Sequence, residues 1–245
     1  DHAETPGVLT RTAKALFDAG DRQRAESVAQ RVLALDGRAD AGQQRVAWTV
    51  LAHTYFDAGR YAEAEVAYGE LARRLPVEDP LHGEAVERIA ASVYRQGEAK
   101  QAAGDVQGAV QDFLRVAAVA PESPVRVAAE FDAATLLIGA GAWAQAAGVL
   151  EAFRRDHPGH ALQAEVTRKL AVAYLEGGRP RDAASEFDRV ADTAAELEDV
   201  RRAARWQAAE LHASAGDLAA ARRAYAAYVQ EFPAPIAPAI EARHE

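Results

Sequence analysis

Apolar residues along this chain recur at helical spacing in short blocks, and the blocks come in pairs. The stretch 59–76, GRYAEAEVAYGELARRLP, is the second half of one pair: a glycine, then Ala64, Tyr68 and Leu71 on one helical face, then Pro76. The same order returns along the chain. Gly20, Gly59, Gly104, Gly141, Gly178 and Gly216 are spaced 39, 45, 37, 37 and 38 residues apart. Five residues beyond each stands Ala25, Ala64, Ala109, Ala146, Ala183 or Ala221, and four beyond that Ala29, Tyr68, Phe113, Leu150, Phe187 or Tyr225. Gly37, Pro76, Pro121, Pro158 and Pro233 close five of the units. A glycine permits the tight turn, a small alanine lets two helices approach, and the larger residue one turn on packs on the same face. Ser123-Pro124 supplies an N-cap followed by proline at the first helical position.

The pattern therefore predicts an all-α array of six helix-turn-helix units. It begins again after Pro238 and runs to Glu245, the expected start of a seventh. The 45-residue step contains PVEDPLHGE at 76–84, whose two prolines and glycine predict a loop or bend. That segment divides one continuous array, at an expected bend, into residues 1–80, repeats 1–2, and residues 81–245, repeats 3–6 and the partial seventh. The first unit has the weakest pattern, with Arg22 where an aromatic is usual and Ala29 at the larger core position.

The second unit reads Trp48-x2-Leu51-Ala52-x2-Tyr55, then Ala64-x3-Tyr68, then Pro76. This resembles the tetratricopeptide repeat (TPR), whose signature is W-x2-L-G-x2-Y, then A-x3-F, then P. The resemblance covers nearly the whole chain and implies an α-solenoid, a right-handed superhelix with a concave face. The later steps of 37–38 residues exceed the usual 34, so longer helices or connections are expected. Residues 125–233, with Phe153-Arg-Arg-Asp-His157-Pro158 closing a unit, are similar to bacterial envelope repeats of the Tol–Pal-associated periplasmic and BamD-like kind.

Composition narrows the function. The formal net charge of -9, with acidic and basic residues interleaved, argues against nucleic acid as partner. No apolar run is long enough for a membrane span. The chain has no Cys, which removes disulfides, thiolate catalysis and Cys-ligated metals. It also has no Met and no signal-peptide pattern, so a processed or excised segment of a longer protein is expected.

Candidate chemistry is sparse. His157 and His160 are spaced for two metal ligands, but the Pro-Gly between them signals a turn and no third ligand is suggested nearby. HASAG at 212–216 lacks the first glycine of a nucleophile elbow and falls at a helix-to-helix turn. We expect no catalytic, cofactor-binding or metal residues, and no enzyme activity in this segment. A carboxylate clamp for chaperone tails needs asparagine donors, and the chain contains no Asn.

By resemblance, positions 2, 5, 9, 12 and 13 of each first helix line the groove, counting the turn glycine as 15, and positions 5, 9 and 12 carry the apolar and aromatic set. Here they include the pairs Thr49 and Phe56, Phe131 and Ile138, with Tyr94, Arg168, Leu175 and Trp206. Lys14 and His53 stand at position 9, Phe17 at position 12, and Lys169 follows Arg168. We expect the partner-binding groove at Phe56, Tyr94, Phe131, Ile138, Arg168, Lys169, Leu175 and Trp206. In this reading Trp206 contributes to affinity more than to folding. The resemblance implies a non-catalytic scaffold or adaptor that binds a protein or peptide on its concave face. It further implies a segment of a larger bacterial envelope protein, in the periplasm. A helical superstructure attached to a cell-wall-active enzyme and a cytoplasmic adaptor are the alternatives, and self-association through the terminal repeats is a further possibility.

Overall fold

The computed structural model describes residues 5–35 and 37–233. The expected start of a seventh repeat lies outside them. Among the described residues there are twelve α-helices and no strand, arranged as six consecutive pairs. The pairs are α1 (Pro6–Asp18) with α2 (Arg22–Leu33), α3 (Ala41–Asp57) with α4 (Tyr61–Ala72), and α5 (Pro80–Ala102) with α6 (Val106–Val119). They continue with α7 (Val125–Gly139) and α8 (Trp143–Asp156), α9 (Gln163–Glu176) and α10 (Pro180–Asp192), and α11 (Glu198–Ser214) and α12 (Leu218–Glu231). We call the first helix of each pair helix A and the second helix B.

Every aligned glycine sits between helix A and helix B, and all six have φ between 70° and 83°. This left-handed conformation is open to glycine without a Cβ penalty. All six turns make the same pair of backbone bonds. In the first, Gly20 N–H donates to Phe17 C=O at 3.0 Å and Asp21 N–H to Leu16 C=O at 2.9 Å. This is the Schellman arrangement, which satisfies carbonyls left open at a helix end. The residue after the glycine also starts helix B. Where it is aspartate, its side chain caps the new helix: Asp21, Asp105 and Asp217 accept from the backbone N–H of Arg24, Gly108 and Ala220. Where it is arginine, it reaches forward instead, Arg60 to Glu63 and Arg179 to Asp182.

The alanine five residues on is closed off in all six repeats, fully in five and 4% exposed at Ala221. The next core position is equally closed at Tyr68, Phe113 and Leu150, each 0–1% exposed. Burying such side chains contributes on the order of 2 kcal/mol each. The first repeat compensates for its missing aromatic: the Arg22 guanidinium lies 3.9 Å from the Phe17 ring centroid and bonds to the Phe17 carbonyl.

Residues Asp1–Ala129 and Glu130–Glu245 form two compact units. In unit 1, polar bonds join neighbouring repeats: Arg60 binds both oxygens of Glu26 at 2.9 Å, and Arg115 pairs with Glu65. In unit 2, Arg154 binds Glu186 at 2.8 and 2.6 Å. Arg205, only 6% exposed, bonds Asp188, Asp192 and Glu231 and so ties α10, α11 and α12 together.

The segment 76–84 differs from its reading as a loop. Only 76–79 lies outside a helix, and residues 80–84 form the first turn of α5. Asp79 caps that helix by accepting from Leu81 N–H, and Pro80 occupies its first turn, where proline lacks no needed donor. Its 23 residues make α5 the longest of the twelve described helices.

Candidate functional site

The helix A faces carry the large apolar residues singled out in the sequence, and these stay half-open. Phe56, Tyr94, Phe131, Ile138, Lys169, Leu175 and Trp206 are intermediate in exposure, and Arg168 is exposed. Three of the aromatics rest on the core aromatics of their own helix B. Tyr94 lies 5.1 Å from Phe113, Phe131 6.3 Å from Phe153, and Trp206 5.5 Å from Tyr225 and 5.2 Å from Tyr228, between ring centroids. Position 5 is therefore an intra-repeat packing position, and the expectation that Trp206 adds little to folding does not survive this geometry.

In unit 2 the cations of this face have partners within the chain. Arg168 pairs with Glu196. Lys169 lies 5.1 Å from the Phe131 centroid and 3.8 Å from Glu165. The structure brings Lys169 and Phe131 together, whereas Trp206 is turned onto α12. His157 and His160 both stack around Phe153; His157 Nε2 lies 2.8 Å from Glu130, and His160 Nδ1 accepts from Leu162 N–H. Ser214 donates to the Leu211 carbonyl at the end of α11.

In unit 1 the helix A face is hollowed on both sides of α3. One cavity of about 250 Å³ is lined by Lys14, Phe17, Asp18, Val46, Thr49, Val50 and His53. A second, of about 130 Å³, is lined by Thr49, His53, Tyr68, Leu71, Leu81, Glu84, Ala85 and Arg88. Thr49 and His53, one turn apart on α3, belong to both.

His53 Nδ1 lies 2.8 Å from the Tyr68 hydroxyl. Burial pushes the Tyr68 phenol up to about 12, so it stays protonated, and its hydroxyl can donate to Nδ1 or accept from it according to the imidazole tautomer. Burial, and secondarily the Arg88 charge, holds His53 below its ordinary 6.5. In the tautomer whose Nδ1 accepts, the neutral imidazole carries its proton on Nε2, a donor for a guest. Arg88 sits with its guanidinium carbon 5.3 Å from the Phe56 centroid. Lys14, on the far side, is paired with Asp18 at 2.6 Å.

Leu81, Glu84, Ala85 and Arg88 were absent from the groove expected on sequence: the first two lie in the 76–84 segment that reads as a loop or bend, and the other two precede the first counted position of their repeat. The signal was present: Asp79-Pro80 is the same cap-then-proline start as Ser123-Pro124, where Ser123 Oγ accepts from Val125 N–H at 3.2 Å.

Among the described residues no helix is long and apolar enough to cross a membrane. The tetratricopeptide-repeat family profile matches residues 10–80, 49–125, 131–196 and 168–234. No curated protein matches the chain. Among solved structures, the chain is similar to PilW, a widely conserved type IV pilus biogenesis factor, with 15% identity, 96% of this chain and 97% of that chain covered, and a TM-score of 0.41. It is similar to PilF of Pseudomonas aeruginosa at 14% identity, covering 98% and 97% of the two chains, with a TM-score of 0.39. It is also similar to YrrB, a TPR protein with an unusual peptide-binding site, at 17% identity over 82% and 92% of the chains, with a TM-score of 0.38.

Proposed function

Since the chain belongs to the tetratricopeptide-repeat family, we propose that it is a non-catalytic scaffold whose helix A faces hold a protein or peptide partner. The observation that carries this reading is a contrast in closure. Tyr68, Phe113 and Phe153 on helix B are at most 1% exposed, while the equally large Phe56, Tyr94, Phe131 and Trp206 on helix A stay half-open. Half-open aromatics are the side chains that most often dominate binding energy when a partner covers them. Ile138 and Leu175 add aliphatic surface to the same face of unit 2. The Phe153-to-Pro158 repeat ending supports a segment of a larger bacterial envelope protein, with the periplasm as its compartment.

The test is a display selection of random peptides on the whole chain, followed by affinity measurements on Phe56→Ser and Leu175→Ser variants with unchanged melting. Loss of affinity in either variant supports the reading. Selection of no peptide, or of peptides indifferent to both variants, sinks it. Fractionation of the tagged gene product from its own host reads the compartment, and recovery from the cytosol would remove the envelope assignment.

A further inference from the structure

We propose that the twin cavities of unit 1 form a two-part site for an acidic–aliphatic peptide motif: the larger cavity takes an aliphatic side chain, and the Arg88 cavity takes a neighbouring Glu or Asp carboxylate. The inference rests on the peptide-binding reading above and names its chemistry.

Three observations carry it. The larger cavity is walled mainly by Phe17, Val46 and Val50, with its one cation, Lys14, already held by Asp18. That side offers apolar surface and little free charge. The smaller cavity adds charge to an apolar lining of Leu71, Leu81 and Ala85, with Arg88 and Glu84 both beside it. Among the described residues Arg88 has no hydrogen-bonded or ion-paired carboxylate for its guanidinium, which rests against the Phe56 ring. A guanidinium is a planar fork of donors that suits a carboxylate in two-point contact.

Between the cavities stand Thr49 and His53. With Tyr68 donating to His53 Nδ1, the ring proton sits on Nε2 as the donor for the guest. Arg88 and His53 thus supply donors from two helices, α5 and α3, over a floor of Tyr68, Leu71 and Ala85. Glu84 is the opposing element: it lines the same cavity, one helical turn before Arg88, and repels an anionic guest. The chain's formal charge of -9 works in the same direction at long range, so recognition depends on local contacts that salt screens weakly at close quarters.

Because Thr49 and His53 line both cavities, the two guest side chains must lie close together. The site therefore calls for an aliphatic and an acidic residue adjacent or one to three positions apart. It requires no free terminus, unlike a clamp for chain ends.

The experiment uses the whole chain and labelled nine-residue peptides, each with one Leu and one Glu at separations from adjacent to four, beside matched Gln and Lys versions. Binding is read by fluorescence polarisation. The best Glu peptide is expected to bind about tenfold tighter than its Gln twin, the scale of one charge-assisted hydrogen bond. Arg88→Ala should erase that ratio, Arg88→Lys restore part of it, and Glu84→Gln enlarge it. Arg88 and Glu84 are exposed, so melting temperatures should stay unchanged and separate binding from folding. Equal binding of the Glu and Gln peptides, or a Glu preference that survives Arg88→Ala, overturns the proposal. So does an absence of binding by every peptide of the set. Peptides from the display selection that lack an acid yet depend on Phe56 or Leu175 would, in either case, leave the scaffold reading standing. Failure of that selection as well would remove both.

Discussion

On the helix A face of unit 2, cations turn back onto their own chain: Lys169 covers the Phe131 ring and Arg168 pairs with Glu196. On the corresponding face of unit 1, Arg88 lines a cavity with no carboxylate bound to its guanidinium among the described residues, and the neighbouring His53 has only Nδ1 engaged, by Tyr68. Both faces hang on the same frame of turn glycine, buried alanine and helix B anchor. The contrast therefore comes from what surrounds the frame. In unit 2 the face residues complete the packing of their own repeat. In unit 1 the lengthened α5 adds a wall that holds two side chains apart from the core.

The strongest way to break this contrast is Trp206→Ala. Losing its contacts with Tyr225 and Tyr228 should cost about 2–4 kcal/mol in urea denaturation, whereas Arg88→Ala should stay within about 0.5 kcal/mol. Comparable small losses would mean that the second face is as open as the first. The shared frame can be tested by overpacking it in both units: Ala64→Leu and Ala146→Leu should each lose about 1–3 kcal/mol. A clear inequality would show that the two units do not use one packing scheme. Smaller still, Lys169→Ala should cost about 0.5–1 kcal/mol through the lost contact with Phe131. No loss in thermal melting would return that lysine to the pool of free groove cations.

The least effect is expected from pH. His53 titrates below 6.5 in the folded chain, held down by burial and by Arg88 and Arg22, against the weaker opposite pull of Asp57 and Glu84. The unfolded chain therefore takes up this proton first as pH falls. The stability contributed by neutral His53 is complete above the unfolded pKa and is lost as pH drops through the lower, folded one. Denaturation midpoints measured from about pH 7.5 down to 5 should fall, and the fall should shrink in His53→Gln. An NMR titration placing His53 above 6.5 would contradict the assignment.

The repeat was readable because it is local. Glycine at a left-handed turn, alanine at a close approach and a large residue one turn on are each dictated by neighbours a few residues away, and six copies made the period unmistakable. The face residues were harder. Whether Trp206 meets a partner or Tyr225 depends on the side-chain direction at position 5, which spacing alone does not fix. Arg88 escaped for a different reason: groove positions are counted inside the repeat, and with Gly104 as position 15 Arg88 falls two residues before position 1, on the part of α5 that Asp79 and Pro80 start early. The twin cavities themselves involve α1, α3, α4 and α5, a juxtaposition of elements that no single stretch encodes.

The step from Gly59 to Gly104 exceeds the later steps by seven or eight residues, close to two turns at about 3.6 residues each. An insertion of whole turns leaves every downstream side chain on its original face, so Leu81, Ala85 and Arg88 prolong the stripe of α5 without disturbing the fit of Phe113 against Gly97. In evolutionary terms, an array like this has two kinds of variation open to it. Point substitutions retune one contact at a time, while a gain or loss of two turns installs or deletes a whole recognition wall and keeps the downstream core in register. Relatives of this chain should then differ at this position by lengths near seven residues, and intermediate lengths should be selected against because they would turn Arg88 away from α3.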